Sequence, residues 1–275
     1  MLSEGVKVYF SEGINPSERI SISDGVMLME SEDYLPESYV PKEDFRQINY
    51  KELTLLEGKD DANNFAENLA ILKLPDSFKM VVDNLKIDGI TSQIDLHTMI
   101  GRQKELSKQL NIELNNFIEP YLTSIKHKKV FGIFWLKNNI RTVGIQETTK
   151  KHMGLHIDSG TALPLHDYHH APNRVCINIG KSTRYLLVIN KTAKQLLEMI
   201  AEKMDISYIK NQEDIMKAFF KNYPDYPVIK IALNPFEAYI APTDNVIHDG
   251  TTMGMTSPDI TIVLFGFFNL RPNIN

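Results

Sequence analysis

The stretch "GLHIDSG" at residues 154–160 sets His156 and Asp158 two positions apart. Side chains at i and i+2 of an extended chain leave the same face, so this imidazole and this carboxylate can converge on one point. A third donor stands far downstream, His248 in "APTDNVIHDG", after an apolar run and a turn-rich segment. Two imidazoles and one carboxylate on one side of a first-row metal ion leave the opposite side open to incoming ligands, as a metal site built for chemistry requires. His156, Asp158 and His248 are therefore the candidate metal ligands and the candidate catalytic set.

Other polar clusters compete less well. "HMGLH" places His152 and His156 at the i, i+4 spacing of a zinc-binding helix, but the glutamate that would act as general base is absent and Gly154 interrupts the helix. "HDYHH" offers His166, His169 and His170 at a spacing that matches no compact zinc signature, and Pro164 and Pro172 bracket it as a loop. Cys176, the only cysteine, has no visible activating partner and reads as a small buried apolar residue.

The elements that must position these residues change character near residue 128. Before it, helical periods dominate: Phe65, Leu69 and Leu72 share a face in "DANNFAENLAILKLP" at 61–75, and Leu106, Leu110, Leu114, Phe117 and Ile118 mark a second amphipathic helix. After it come short β-branched and aromatic runs, "VFGIFWL", "RVCINI", "RYLLVIN", "VIKIAL", "FEAYIAP" and "DITIVLFGFF". Helical patterns break these runs only at 191–204 and 212–224. The expected fold class is α+β, a jelly-roll or cupin-like core at 128–275 with a helical insertion at 191–224, covered by a helix-rich N-terminal region, 1–127. A dinucleotide-binding fold lacks support, since no GxGxxG is present.

Composition narrows the partners. With 275 residues, 43% hydrophobic and 24% charged, the chain can bury a full core. Thirty basic and 35 acidic residues are interspersed for a net charge of −5, so no basic stripe awaits nucleic acid. "KHKK" at 126–129 reads as a solvated helix end. The opening "MLSEGVKVYFSEG" has no basic, then apolar leader pattern, no stretch approaches about 18 uninterrupted apolar residues, and a single cysteine forms no disulfide within the chain. A cytoplasmic protein without membrane contact is the expectation. The N-terminal amphipathic helices are a candidate homodimer surface.

Taken together, "HIDSG", "FEAYIAPTDNVIHDG" and "DITIVLFGFF" resemble the Fe(II)- and 2-oxoglutarate-dependent dioxygenase superfamily over residues 130–270. The resemblance implies a double-stranded β-helix, with Fe(II) held by His156, Asp158 and His248. It further implies 2-oxoglutarate as cosubstrate, molecular oxygen as oxidant, and hydroxylation of an unactivated C–H bond in an amino acid, peptide or small metabolite. The spacing is most similar to the Jumonji-C and cupin-like hydroxylase arm, in which a strand after the HxD motif begins with a basic residue that pairs with the distal carboxylate of 2-oxoglutarate. "GKSTRYLLVINKTAKQL" resembles that segment with Arg184 in place of the usual lysine. The arginine that other branches carry after the distal histidine is missing from "TSPDI" at 256–260, where the next arginine is Arg271. Arg174 is the second choice for the cosubstrate, and Thr251 is a further candidate hydrogen-bond donor. Asp158 argues against the halogenase variant, which leaves that position vacant. The N-terminal helices, the 164–172 loop and the 191–224 insertion are the expected substrate walls. Two alternatives stay open: a cupin-like metal-dependent dioxygenase or isomerase without 2-oxoglutarate, and a non-catalytic jelly-roll binding protein.

Overall fold

Strict alternation in the apolar runs after residue 128 sends successive side chains to two different cores, and this determines the layering. The computed structural model describes residues 1–58, 64–87, 89–123, 129–160 and 163–273. In chain order the elements are β1 (Val8–Phe10), β2 (Ile20–Ser23), β3 (Val26–Leu28), β4 (Tyr39–Pro41), β5 (Arg46–Gln47), α1 (Tyr50–Leu56), β6 (Leu69–Lys73), α2 (Asp76–Leu85), α3 (Gln93–Arg102) and α4 (Lys104–Ile118). There follow β7 (Lys129–Leu136), β8 (Asn173–Asn178), β9 (Arg184–Thr192), α5 (Ala193–Ala201), α6 (Gln212–Asn222), β10 (Val228–Leu233), β11 (Glu237–Ala241), β12 (Val246–Thr251) and β13 (Asp259–Gly266).

One sheet runs β1-β6-β11-β8-β13-β7 and a second runs β12-β9-β10-β2-β5, while β3 and β4 form a separate hairpin. The two large sheets face each other. Cys176, Tyr239 and Ile71 of the first pack with Leu186, Val188, Ile229 and Ile22 of the second. The opposite face of the first sheet, with Val175, Ile177, Ile240 and Ile262, is covered by Phe78 and Val82 of α2 and Leu110 and Leu114 of α4. Leu187, Ile189, Val228 and Ile247 on the back of the second sheet pack under Leu196 and Ile200 of α5 and Ile215 and Phe219 of α6. β9 passes directly into α5 because Thr192 and Gln195 form a capping box at the junction, satisfying two backbone N–H groups there.

The helix expected over 61–75 is not formed. Residues 61–63 lie outside the described set, and Leu69–Lys73 is a strand paired with β1 on one side and β11 on the other. Leu69 and Ile71 face the inter-sheet core while Ala70 and Leu72 face the helices, so a run buried on both faces mimics helical spacing. The region before residue 128 is consequently more than a helical cover: β1 and β6 extend the first sheet, and β2 and β5 the second. The "KHKK" run falls mostly outside the described residues. Among those described, no helix is long and apolar enough to cross a membrane.

Candidate metal centre and its cavity

The segment carrying His156 runs beside β12. His156 and His248 exchange backbone hydrogen bonds, the N–H of each donating to the carbonyl of the other at 3.0 and 2.7 Å. Directly opposed residues on adjacent strands have their side chains close together, and the two imidazole centroids are 4.8 Å apart. Asp158, anchored by its N–H donating to Thr243 O, sets its carboxylate between them. Its Oδ1 lies 3.4 Å from His156 Nε2 and its Oδ2 3.7 Å from His248 Nε2. One donor atom from each of the three residues falls within 4.8 Å of the others. Small side-chain adjustments bring such donors to the ~2.0–2.2 Å bonds of a shared first-row ion.

Tautomers are arranged to suit. His156 Nδ1 lies 2.8 Å from Gly154 O, and His248 Nδ1 3.2 Å from Val246 O. A carbonyl can only accept, so each Nδ1 carries a hydrogen, which leaves each Nε2, the nitrogen facing Asp158, as the one that can bind a metal. Arg174 on β8 donates from Nη2 to Asp158 Oδ2 at 2.6 Å, holding the carboxylate in place. Burial raises the Asp158 carboxyl, but the neighbouring His248, Arg174 and His156 together outweigh it and hold it well below the usual carboxylate range. Burial lowers both imidazoles. For His156 the carboxylates of Asp158 and Asp249 outweigh it and raise the group to about 10, whereas His248, also repelled by His156 and Arg174, is pushed down to about 4.

Asp249, which sequence reasoning missed, completes the setting. Its Oδ1 accepts from the N–H groups of Val143, Gly144 and Gly250, at 3.0, 2.9 and 2.6 Å. Its buried Oδ2 has no hydrogen-bond partner and stands 3.6 Å from His156 Nδ1. The only available sequence signal was adjacency to His248, and strand alternation argued the wrong way by turning residue 249 to the opposite face.

The triad lines a cavity of about 350 Å³ between the sheets, whose walls include Arg174, Cys176, Arg184, Tyr239 and Thr261. Arg184 enters from the start of β9 and is almost fully buried. Its Nη1 donates to Cys176 Sγ, and its Nε lies 3.4 Å from Oδ2 of the buried Asp259. Burial works against the Arg184 charge, but Asp259 more than restores it, raising the guanidinium; burial raises the Asp259 carboxyl, opposed by Arg184. Burial also raises the phenol of Tyr239 beside Cys176. Gly250 makes room for the arginine, since a Cβ there would lie 2.9 Å from Arg184 Nη2.

Two expectations need correction. Thr251 lies outside this cavity; its side chain donates to Ile140 O, on the face of β12 away from the triad. Arg174, by contrast, does line the cavity: it donates one hydrogen bond from Nη2 to Asp158 Oδ2, and its buried Nε is without a partner. The helices α2–α4 are not substrate walls, because they cover the back of the first sheet. The 164–172 loop forms a two-turn 3₁₀ helix, Leu165–His170, in which donor atoms of Asp167, His169 and His170 cluster within 4.8 Å; the side chain of His166 is outside the described set.

Among solved structures the chain is similar to the Kdo hydroxylase KdoO, described as a non-haem Fe(II) alphaketoglutarate dependent dioxygenase. The match to its complex with alphaketoglutarate and Fe(III) has 13% sequence identity and a TM-score of 0.41, covering 74% of this chain and 81% of that one. The apo and cobalt(II) forms match at TM-scores of 0.39 with the same identity and coverage. No family model matches the sequence, and no curated protein does.

Proposed function

We propose that this chain is an Fe(II)- and 2-oxoglutarate-dependent oxygenase that hydroxylates an unactivated C–H bond, built on a double-stranded β-helix. The observation that carries the proposal is the convergence of His156, Asp158 and His248 on a cavity between two sheets, with a buried arginine in the same cavity. Support for the β-helix comes from the order in which the chain visits the sheets. β7, the residue-156 segment bridged to β12, β8, β9, β10, β11, β12 and β13 fall in the first, second, first, second, second, first, second and first sheets.

The donor set fits iron: two imidazoles and a carboxylate on one side, with cavity on the other; binding a metal would require His156 to give up the proton that Asp158 and Asp249 favour on it. Fe(II) and 2-oxoglutarate, when bound, would activate molecular oxygen, the oxidant, for C–H hydroxylation, with 2-oxoglutarate giving up two of the electrons. The protein's part is to fix both histidines through their Nδ1 hydrogen bonds, to hold Asp158 with Arg174, and to exclude water between the sheets. Arg184 is suited to the distal carboxylate of the cosubstrate, because a planar guanidinium can hold a carboxylate with two parallel hydrogen bonds. Its buried Nε is without a hydrogen-bond partner, as are both oxygens of Asp259.

That same pairing favours one other function. With Asp259 3.4 Å away and Cys176 as acceptor, Arg184 already has internal partners, as a metal oxygenase without 2-oxoglutarate would leave it. Anaerobic titration of the metal-free protein with Fe(II), then 2-oxoglutarate, separates the two. The visible charge-transfer band of an iron-chelated keto acid is expected in the wild type and absent from His248→Ala. Iron binding without the band would select the cosubstrate-free oxygenase, and no iron binding would sink both.

A further inference from the structure

Two cavities meet at His156. The second, about 260 Å³, shares only Met153 and His156 with the first and is walled by the turn before β4, the 153–159 segment and the first turns of α6. The arginine-lined cavity is the cosubstrate's place in the proposed function. The second holds no arginine and reaches the same metal ligand, which leaves it for the molecule whose C–H bond must come to the metal.

Its chemistry divides into two zones. Leu35, Pro36, Met153, Ile157 and Met216 supply an apolar wall. The charged part of its lining is open to solvent: Lys217 on α6 lies 2.9 Å from Glu37 Oε2 and 2.9 Å from Glu213 Oε1, with the two glutamate side chains 64% and 65% exposed. Glu37 adopts φ 59, a left-handed conformation that costs energy for any residue with a Cβ, and such strain persists where the surroundings enforce it, often at binding sites. Its neighbour Ser38 lines the same cavity, is 2% exposed, and has a buried Oγ without a hydrogen-bond partner. A buried hydroxyl left unpaired is costly, and a ligand group offering a partner removes that cost.

We propose that this second cavity is the substrate chamber and that its substrate is a free α-amino acid with an aliphatic side chain. The inference rests on the oxygenase function proposed above. An ammonium and two carboxylates in contact match, with signs reversed, the adjacent carboxylate and ammonium that only a free amino acid carries on one carbon. The substrate carboxylate takes Lys217, its ammonium takes Glu37 and Glu213, and its side chain follows the apolar wall to His156. The reaction balances as R–H plus O₂ plus 2-oxoglutarate giving R–OH, succinate and CO₂. One oxygen atom enters the C–H bond and the other enters the succinate carboxylate, with two electrons from the C–H bond and two from the decarboxylation reducing O₂.

The test uses the full chain loaded with Fe(II) and 2-oxoglutarate, and the proteinogenic L-amino acids as probes. An aliphatic member is expected to shift the charge-transfer band anaerobically and to stimulate succinate release in air, while its N-acetyl and methyl ester derivatives do neither. Lys217→Met and Glu37→Gln are each expected to raise its apparent Kd about tenfold or more, the loss of one charge-assisted contact, with the 2-oxoglutarate band itself unchanged. A band that forms but that no amino acid shifts would overturn the proposal, as would equal responses to the blocked derivatives or wild-type affinity in both variants. Failure of the band to form at all marks the failure of the oxygenase function, and the proposal falls with it.

Discussion

His156 is held by its own main-chain neighbour Gly154, by Asp249 and by the close approach of Gly144. A Cβ at position 144 would stand 2.6 Å from His156 Cε1 and 3.1 Å from Asp249 Oδ2. The Asp249 carboxylate is pinned through Oδ1 by three N–H groups, so the added methyl displaces the ring, at the expense of its bond to Gly154 O. Gly144→Ala is expected to weaken Fe(II) binding about tenfold or more, the usual scale when the support behind a metal ligand is disturbed. Competition against a chelating dye measures this. Retained far-UV circular dichroism with unchanged affinity would show that the ring does not need this support. At this scale His156 and Asp158 were legible as candidate ligands, since residue type and an i, i+2 spacing are local facts. Asp249 and Gly144 were not, because their role depends on which segments lie side by side.

At the scale of elements, α6 serves two purposes. Its buried face, with Ile215, Phe219 and Phe220 fully enclosed, packs on the back of the second sheet, and its first turns present Gln212, Glu213 and Lys217 to the cavity beside His156. Phe219 stacks with Tyr223 and meets Tyr226 edge-on. Phe219→Ala is expected to cost about 3–5 kcal/mol, measured by urea unfolding, because the sheet beneath cannot collapse into the void. A loss under 1 kcal/mol would mean that the helix is not a fixed wall. The 191–224 helices were legible from their helical patterns. The strand Leu69–Lys73 was not: a short apolar run with residues three and four apart satisfies both templates, and only its pairing between β1 and β11 decides.

Across the whole molecule, the inter-sheet core draws on both ends of the chain. Val8, Ile20, Ile22, Leu69 and Ile71 are buried there beside Leu186, Val188 and Ile231. β2 pairs with β10, and β6 with β11, so removing the N-terminal region exposes two open sheet edges as well as apolar surface. A chain starting at residue 129 is therefore expected to be insoluble or unfolded when expressed. A monomeric, cooperatively melting product would show instead that the later strands form a self-sufficient core.

Sequence alone determined the chemistry available: an imidazole and a carboxylate on one strand face, a second imidazole far downstream, and a strand-rich half able to bring them together. It also carried the alternation that sends Arg184 inward with Leu186 and Val188. Tertiary structure decided which partners those groups meet. Arg174 became the brace of Asp158 and Thr251 turned away, because pairing register sets which face looks into the cavity. The second cavity at His156 joins a turn near residue 37 to a helix near residue 217, and no local pattern in the sequence reports a contact made across that separation.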